Sequence, residues 1–109
     1  KDEYVTGHEQ ITGGIQRIKL ELHGKNHTVV GMIGYVQKET CPKWRKVINE
    51  CIDSLCGKPD ENSLIWATSE YLTKAEYDIK HRKYHGTSKH PRTNVPAVTI
   101  HHLWVEMTF

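Results

Sequence analysis

Five basic residues, three histidines and one tyrosine crowd into residues 79–92, IKHRKYHGTSKHPR, with no acid among them. Lys80, Arg82, Lys83, Lys89 and Arg92 are of the type that contacts phosphates, and Tyr84 is of the type on which a base stacks. The stretch therefore predicts a partner that is RNA or single-stranded DNA, with these six residues as contacts. The charge is local. Residues 1–78 hold ten Lys/Arg and twelve Asp/Glu, a balance of −2, whereas residues 79–109 hold five Lys/Arg and one acid, Glu106, a balance of +4. The competing expectation is a solvated loop, since most charge runs are solvated.

Other chemistry is less well specified. A metal-free nuclease needs a base, an acid and a cation over the phosphate in one cleft. His81, His85, His90, His101, Glu76, Arg82 and Arg92 supply the types. Spacing alone does not converge them, so no catalytic residue is assigned. There is no CxxC and no HExxH, and His81 and His85 fall where a strand and loop are expected. No metal and no cofactor are expected. HGKN and CGKP contain Gly-Lys without the spacing of a phosphate-binding loop.

The residues that must position this chemistry start with TCPKWRKVINECIDSLCG, residues 40–57. Trp44, Val47, Ile48, Cys51, Ile52 and Leu55 recur at helical spacing, Thr40 suits the cap, Pro42 the first turn and Gly57 the end. One long helix over about 41–56 follows. That helix separates Cys41 from Cys51 by about 15 Å and leaves Cys51 and Cys56 pointing apart, so no intramolecular disulfide fits. Cys51 and Cys56 are expected as small buried hydrophobes, and Cys41, in the first turn, is placed for a lowered thiol pKa.

RIKLELH alternates strictly, and TVVGMIGYV has the apolar, β-branched character of a buried strand. Ile11, Ile15, Ile18 and Leu22 also fit a helix, but Gly13-Gly14 weaken one. The favoured expectation is a hairpin of 15–23 with 28–36. Further strands are expected at 63–71, 75–84 and 97–109, with a long loop at 86–96. In the last strand Val98, Ile100, His102, Trp104, Glu106 and Thr108 share a face. The fold class is α+β: an antiparallel sheet of about five strands, in the order ββαβββ, packed on one helix. At 109 residues the chain is one domain, 1–109.

Two families share features with the N-terminal segment. YVTGHEQITGGI, Tyr4 to Ile15, resembles a LAGLIDADG homing-endonuclease motif in length and glycine placement, which implies a ββα half and metal-dependent cleavage. Thr12 stands where that motif keeps its metal-binding acid. Tyr4, Gly7, Thr12 and Ile15 also resemble the opening of secreted fungal ribonuclease-like effectors. Thr6 replaces their cysteine, and those proteins lack a long central helix. No family is assigned.

Three function classes remain. The first is a nucleic-acid- or phosphate-binding module. The second is a protein-interaction domain, such as a delivered effector or inhibitor, using a sheet edge or the Trp104 region. The third is a small metal-free nuclease. Free thiols point to a reducing compartment, cytoplasmic or nuclear, including that of a host cell after delivery. No apolar run is long enough for a membrane helix, and no membrane contact is expected. KDEYVTGHEQ reads as neither a signal nor a transit peptide, and it lacks a Met, as a chain does once a leader or tag is gone.

Overall fold

Alternation along residues 98–106 builds the centre of the fold. In the computed structural model, which describes residues 4–5, 14–21, 24–57 and 65–107, Val98, Ile100, His102 and Trp104 are buried on one face, as the pattern requires. The described elements in chain order are α1 (Gly14–Lys19), β1 (Val29–Val36), α2 (Cys41–Leu55), a 3-10 turn (Thr68–Glu70), β2 (Thr73–Asp78), β3 (Lys83–His90) and β4 (Val98–Glu106). The sheet order is β1-β4-β3-β2, with β4 parallel to β1 and antiparallel to β3. The class is α+β as expected. The sheet, however, is mixed and four-stranded, where five antiparallel strands were predicted.

The difference begins at residues 15–23. Their described part is helix α1 and not a strand. Ile15 and Ile18 both enter the core, three residues apart, which a helix allows and alternation does not. Glu21, at φ 65°, ends the turn in the left-handed region. Gly14 begins the helix where a Cβ would lie 2.6 Å from Met32 Cε and 3.0 Å from Tyr4 O, so the glycine is a point of close approach. Ile11, Gly13, Leu22 and His23 lie outside the described residues. Without a hairpin partner, β1 pairs with β4.

Three further boundaries moved for local reasons. The described part of 63–71 is not an extended strand: Trp66 makes an isolated bridge to Cys56, and the Glu70 carboxylate accepts from Ala67 N–H to close the 3-10 turn. The single strand expected at 75–84 is broken at Asp78, whose side chain accepts from His81 N–H, and Arg82 at φ 56° completes the reversal. The loop expected at 86–96 is strand as far as His90. Gly86 lies beneath the Tyr84 ring, where a Cβ would sit 2.5 Å from its hydroxyl, and Ser88 and His90 turn inward.

Helix α2 forms as the sequence dictates. Thr40 Oγ1 accepts from Lys43 N–H, Pro42 occupies the first turn, and Gly57 at φ 78° follows the end. Its inner face buries Cys41, Ile48 and Ile52, with Trp44, Cys51 and Leu55 packed alongside. Glu106 Oε2 accepts from Cys41 N–H at 2.7 Å and from the Tyr77 hydroxyl at 2.6 Å, fixing the helix start to the end of β4. All three cysteines are free. The fully buried one is Cys41, while Cys51 and Cys56 are half-buried. Burial, reinforced by Glu106, pushes the Cys41 thiol up to about 12, opposite to the lowered value expected from its place in the first turn. The buried core lies on one face of the sheet, against α1 and α2. The other face is open.

Candidate functional site

The strand register assembles the open face row by row. Val29, Thr99 and Lys89 lie side by side, then Gly31, His101, Thr87 and Thr73, then Ile33, Leu103, His85 and Glu76, then Tyr35, Val105, Lys83 and Asp78. The β1–β4 half is apolar and the β3–β2 half is polar. Val29, Ile33, Tyr35 and Leu103 are exposed by 57%, 69%, 68% and 43% of their surface. Such a contiguous apolar surface marks an interaction site in soluble proteins. TVVGMIGYV was expected as a buried strand paired with 15–23. It is an edge strand, because β4 pairs with one side of it, and Val29, Gly31, Ile33 and Tyr35 are exposed on one face.

The six predicted nucleic-acid contacts do not converge. Lys80 and Arg82 are exposed in the β2–β3 turn, and Lys83 follows them onto the open face. Lys89 shares that face six residues on, about 20 Å away. Tyr84 points the other way. Its ring is buried and stacked on Trp104, with centroids 4.6 Å apart, so it offers no surface to a base. Arg92 grips backbone: Nε donates to Pro96 O at 2.9 Å, and the terminal nitrogens donate to Gly24 O and His27 O at 3.0 and 2.8 Å.

Of the nuclease-type residues, the fold brings His85 and His101 together, with His85 Nε2 and His101 Nδ1 2.8 Å apart and the rings stacked. Glu76 stands opposite His85 on β2. Groups that bond each other leave no room for a phosphate between them, as an acid–base pair needs. His81 pairs with Asp78 at 2.8 Å and holds that carboxyl below the usual carboxylate range.

The covered face contains a hydrogen-bonded chain that spacing did not reveal. Trp104 Nε1–H donates to the Tyr4 hydroxyl at 3.1 Å, which lies 2.6 Å from His102 Nδ1. Ser88 Oγ bridges His102 Nε2 and His90 Nε2, each at 2.7 Å. His90 Nδ1 reaches Glu70 Oε1 at 2.8 Å, and Lys19 Nζ meets the same oxygen at 2.7 Å, 3.9 Å from the Trp66 ring centre. Every link has one donor and one acceptor when both histidines are neutral and all donors point toward Glu70. Burial depresses both imidazoles, His102 to about 3. Burial pushes the Glu70 carboxyl up, but the bonds from His90 and Lys19 outweigh it and the net shift is down.

Ser88, His90 and Glu70 thus have the connectivity of nucleophile, base and orienter. All three are buried, and none of them lines the cavities formed by the described residues at α2 and at β1. A cavity of about 480 Å³ does reach Tyr4 and Trp104 from the β1 side, walled by Met32, Trp44 and Ile48. Among the described residues, no group of three or more His, Cys, Asp or Glu could hold a metal ion, and no helix is long and apolar enough to cross a membrane.

No protein-family model matches the chain, and neither a curated protein nor a solved structure is detectably similar to it. Function must therefore be argued from the site.

Proposed function

We propose that this chain is a protein-interaction domain that docks a partner on the apolar half of its open sheet face. The observation that carries this is the run of exposed Val29, Ile33, Tyr35 and Leu103 on two adjacent strands. Removing that surface from water is the dominant favourable term in most protein association, and the polar half beside it supplies a rim. A delivered effector or inhibitor would use such a surface, and free thiols suit a reducing compartment. A photo-crosslinking side chain placed at Ile33 should capture a defined partner, one placed at Thr87 should not, and Leu103→Lys should abolish capture. Equal capture from both positions, or none lost with Leu103→Lys, ends this proposal.

A second reading rests on a different observation: Lys80, Arg82 and Lys83 are three exposed cations within four residues at the β2–β3 turn. They would track the phosphates of RNA or single-stranded DNA, joined by Lys89 and without Tyr84 or Arg92. Log affinity should then fall with log salt by about 0.7 per contact, and replacing the three with Gln should flatten that slope by about two. No measurable affinity at about 50 mM salt removes this reading. Turnover of RNA in EDTA would move it to a metal-free nuclease.

A further inference from the structure

The outer edge of β1 fits a specific partner. β1 ends the sheet, and among the described residues no strand pairs with its outer side. Thr28 O and Val36 O accept from Thr99 N–H and Met107 N–H, so the even-numbered positions direct their backbone groups toward β4. Alternation then turns the N–H and C=O of Val29, Gly31, Ile33 and Tyr35 outward. Edge strands are normally protected by charge, proline, bulges or brevity. VVGMIGYV is eight residues long and has no charge and no proline.

We propose that a second copy of this chain occupies this edge, its β1 pairing antiparallel with the first about a two-fold axis at Ile33. The proposal rests on the reading of the β1 side as a docking surface and names the partner. Side-chain size selects both occupant and register. With Ile33 opposite Ile33 of the second copy, Gly31 faces Tyr35, Met32 faces Gly34, and Val30 faces Val36. Each glycine is therefore set against a large side chain. Sliding by two residues puts Met32 against itself and Tyr35 against Val29. Sliding by one opposes outward backbone groups to inward ones and forms no ladder.

The two glycines differ. Above Gly34 the Trp104 indole already fills the space, with Cδ1 2.8 Å from where a Cβ would sit, and Met32 of each copy stays packed against its own Gly14. On the open face, a Cβ on Gly31 would have nothing nearer than His101 O at 4.0 Å, which leaves space for the Tyr35 ring of the second copy. Pairing is isologous and closes on itself, giving one eight-stranded sheet. Val29, Ile33, Tyr35 and Leu103 of both copies then form one continuous apolar surface.

Sedimentation velocity over roughly 1–200 µM, a range that brackets micromolar dissociation constants, should show a reversible monomer–dimer equilibrium. Amide exchange at Gly31, Ile33 and Tyr35 should slow as concentration rises, while Val30, Met32 and Gly34 stay protected throughout. Ile33→Lys, at an exposed position that the fold does not need, sets two like charges on the axis and should weaken dimerisation at least about tenfold. Leu103→Lys, on β4 and away from the edge, should leave it intact. A monomer across the whole range, a dimer indifferent to Ile33→Lys, or protection at the odd positions independent of concentration would each overturn the proposal. The docking reading stands or falls separately, on capture by a distinct partner and its loss in Leu103→Lys.

Discussion

β3 and β4 carry two histidine pairs, and the two faces of the sheet use them in opposite ways. His90 and His102 are sealed on the covered face, joined through Ser88 and anchored to the Glu70–Lys19 ion pair. His85 and His101, on the same two strands at the other parity, stack on and bond each other on the open face. The residue type is the same and the strand is the same, so the burial of each face decides the role. Polar groups on the covered face join elements of the core. The open face, apolar along β1 and β4 and polar along β3 and β2, stays exposed.

That contrast can be broken most directly at Glu70. Replacing it by Gln removes the carboxylate that pairs with the buried Lys19 ammonium, and breaking a buried pair costs about 3–5 kcal/mol. Urea unfolding of Glu70→Gln should show a loss of that size. A loss under about 1 kcal/mol would mean that the ion pair does not anchor the chain. A smaller, purely apolar contrast comes next. Ile52→Ala empties a fully buried site and should cost about 2–4 kcal/mol, whereas Ile33→Ala on the open face should stay within about 0.5. Equal losses would show that the open face is covered in solution.

Acid sharpens the comparison further. His90 and His102 are neutral in the fold and titrate lower there than when unfolded, so the unfolded chain binds more protons. Stability should therefore fall as pH drops below the ordinary histidine value of about 6.5. His102→Asn should remove up to about 1.4 kcal/mol per pH unit from that slope, while lowering stability at neutral pH. Denaturant titrations between pH 7 and 4 measure it, and an unchanged slope would mean that His102 is already charged in the fold. The smallest effect belongs to the open pair: His85→Ala with His101→Ala should shift stability by no more than about 0.5 kcal/mol.

How much of this was legible depended on whether a residue's role was local. Helix α2 could be read because its cap at Thr40 and its stripe through Ile48 and Ile52 are local features. The inward face of β4 could be read because Val98, Ile100 and Trp104 alternate. α1 was missed because Ile18 belongs both to the alternation of RIKLELH and to the helical spacing from Ile15, and only the burial of both isoleucines in one core decides between them. β3 was missed because its inward residues, Gly86, Ser88 and His90, are those expected of a turn. They point inward because Tyr84 needs the space above Gly86 and because His102 and Glu70 complete the bonds of Ser88 and His90. Those partners lie 14 and 20 positions away along the chain. Tyr84 and Arg92 have the composition of a nucleic-acid contact, but the indole of Trp104 and three backbone carbonyls already occupy them.

The parallel pairing of β1 with β4 has a consequence for biosynthesis. Val29 lies opposite Thr99 and Val36 opposite Glu106, so among the described strands the first made finds its partner in the last. Helix α2 can form as soon as it leaves the ribosome, but closing a loop this long must wait until residues 98–106 are made. Until residues 98–106 emerge, VVGMIGYV has no strand on either side, and it carries no charge to discourage contact with a neighbouring nascent chain. A ribosome stalled before that point would therefore release a product prone to aggregate, so the yield of this fold depends on translation passing β4 as well as on its final stability.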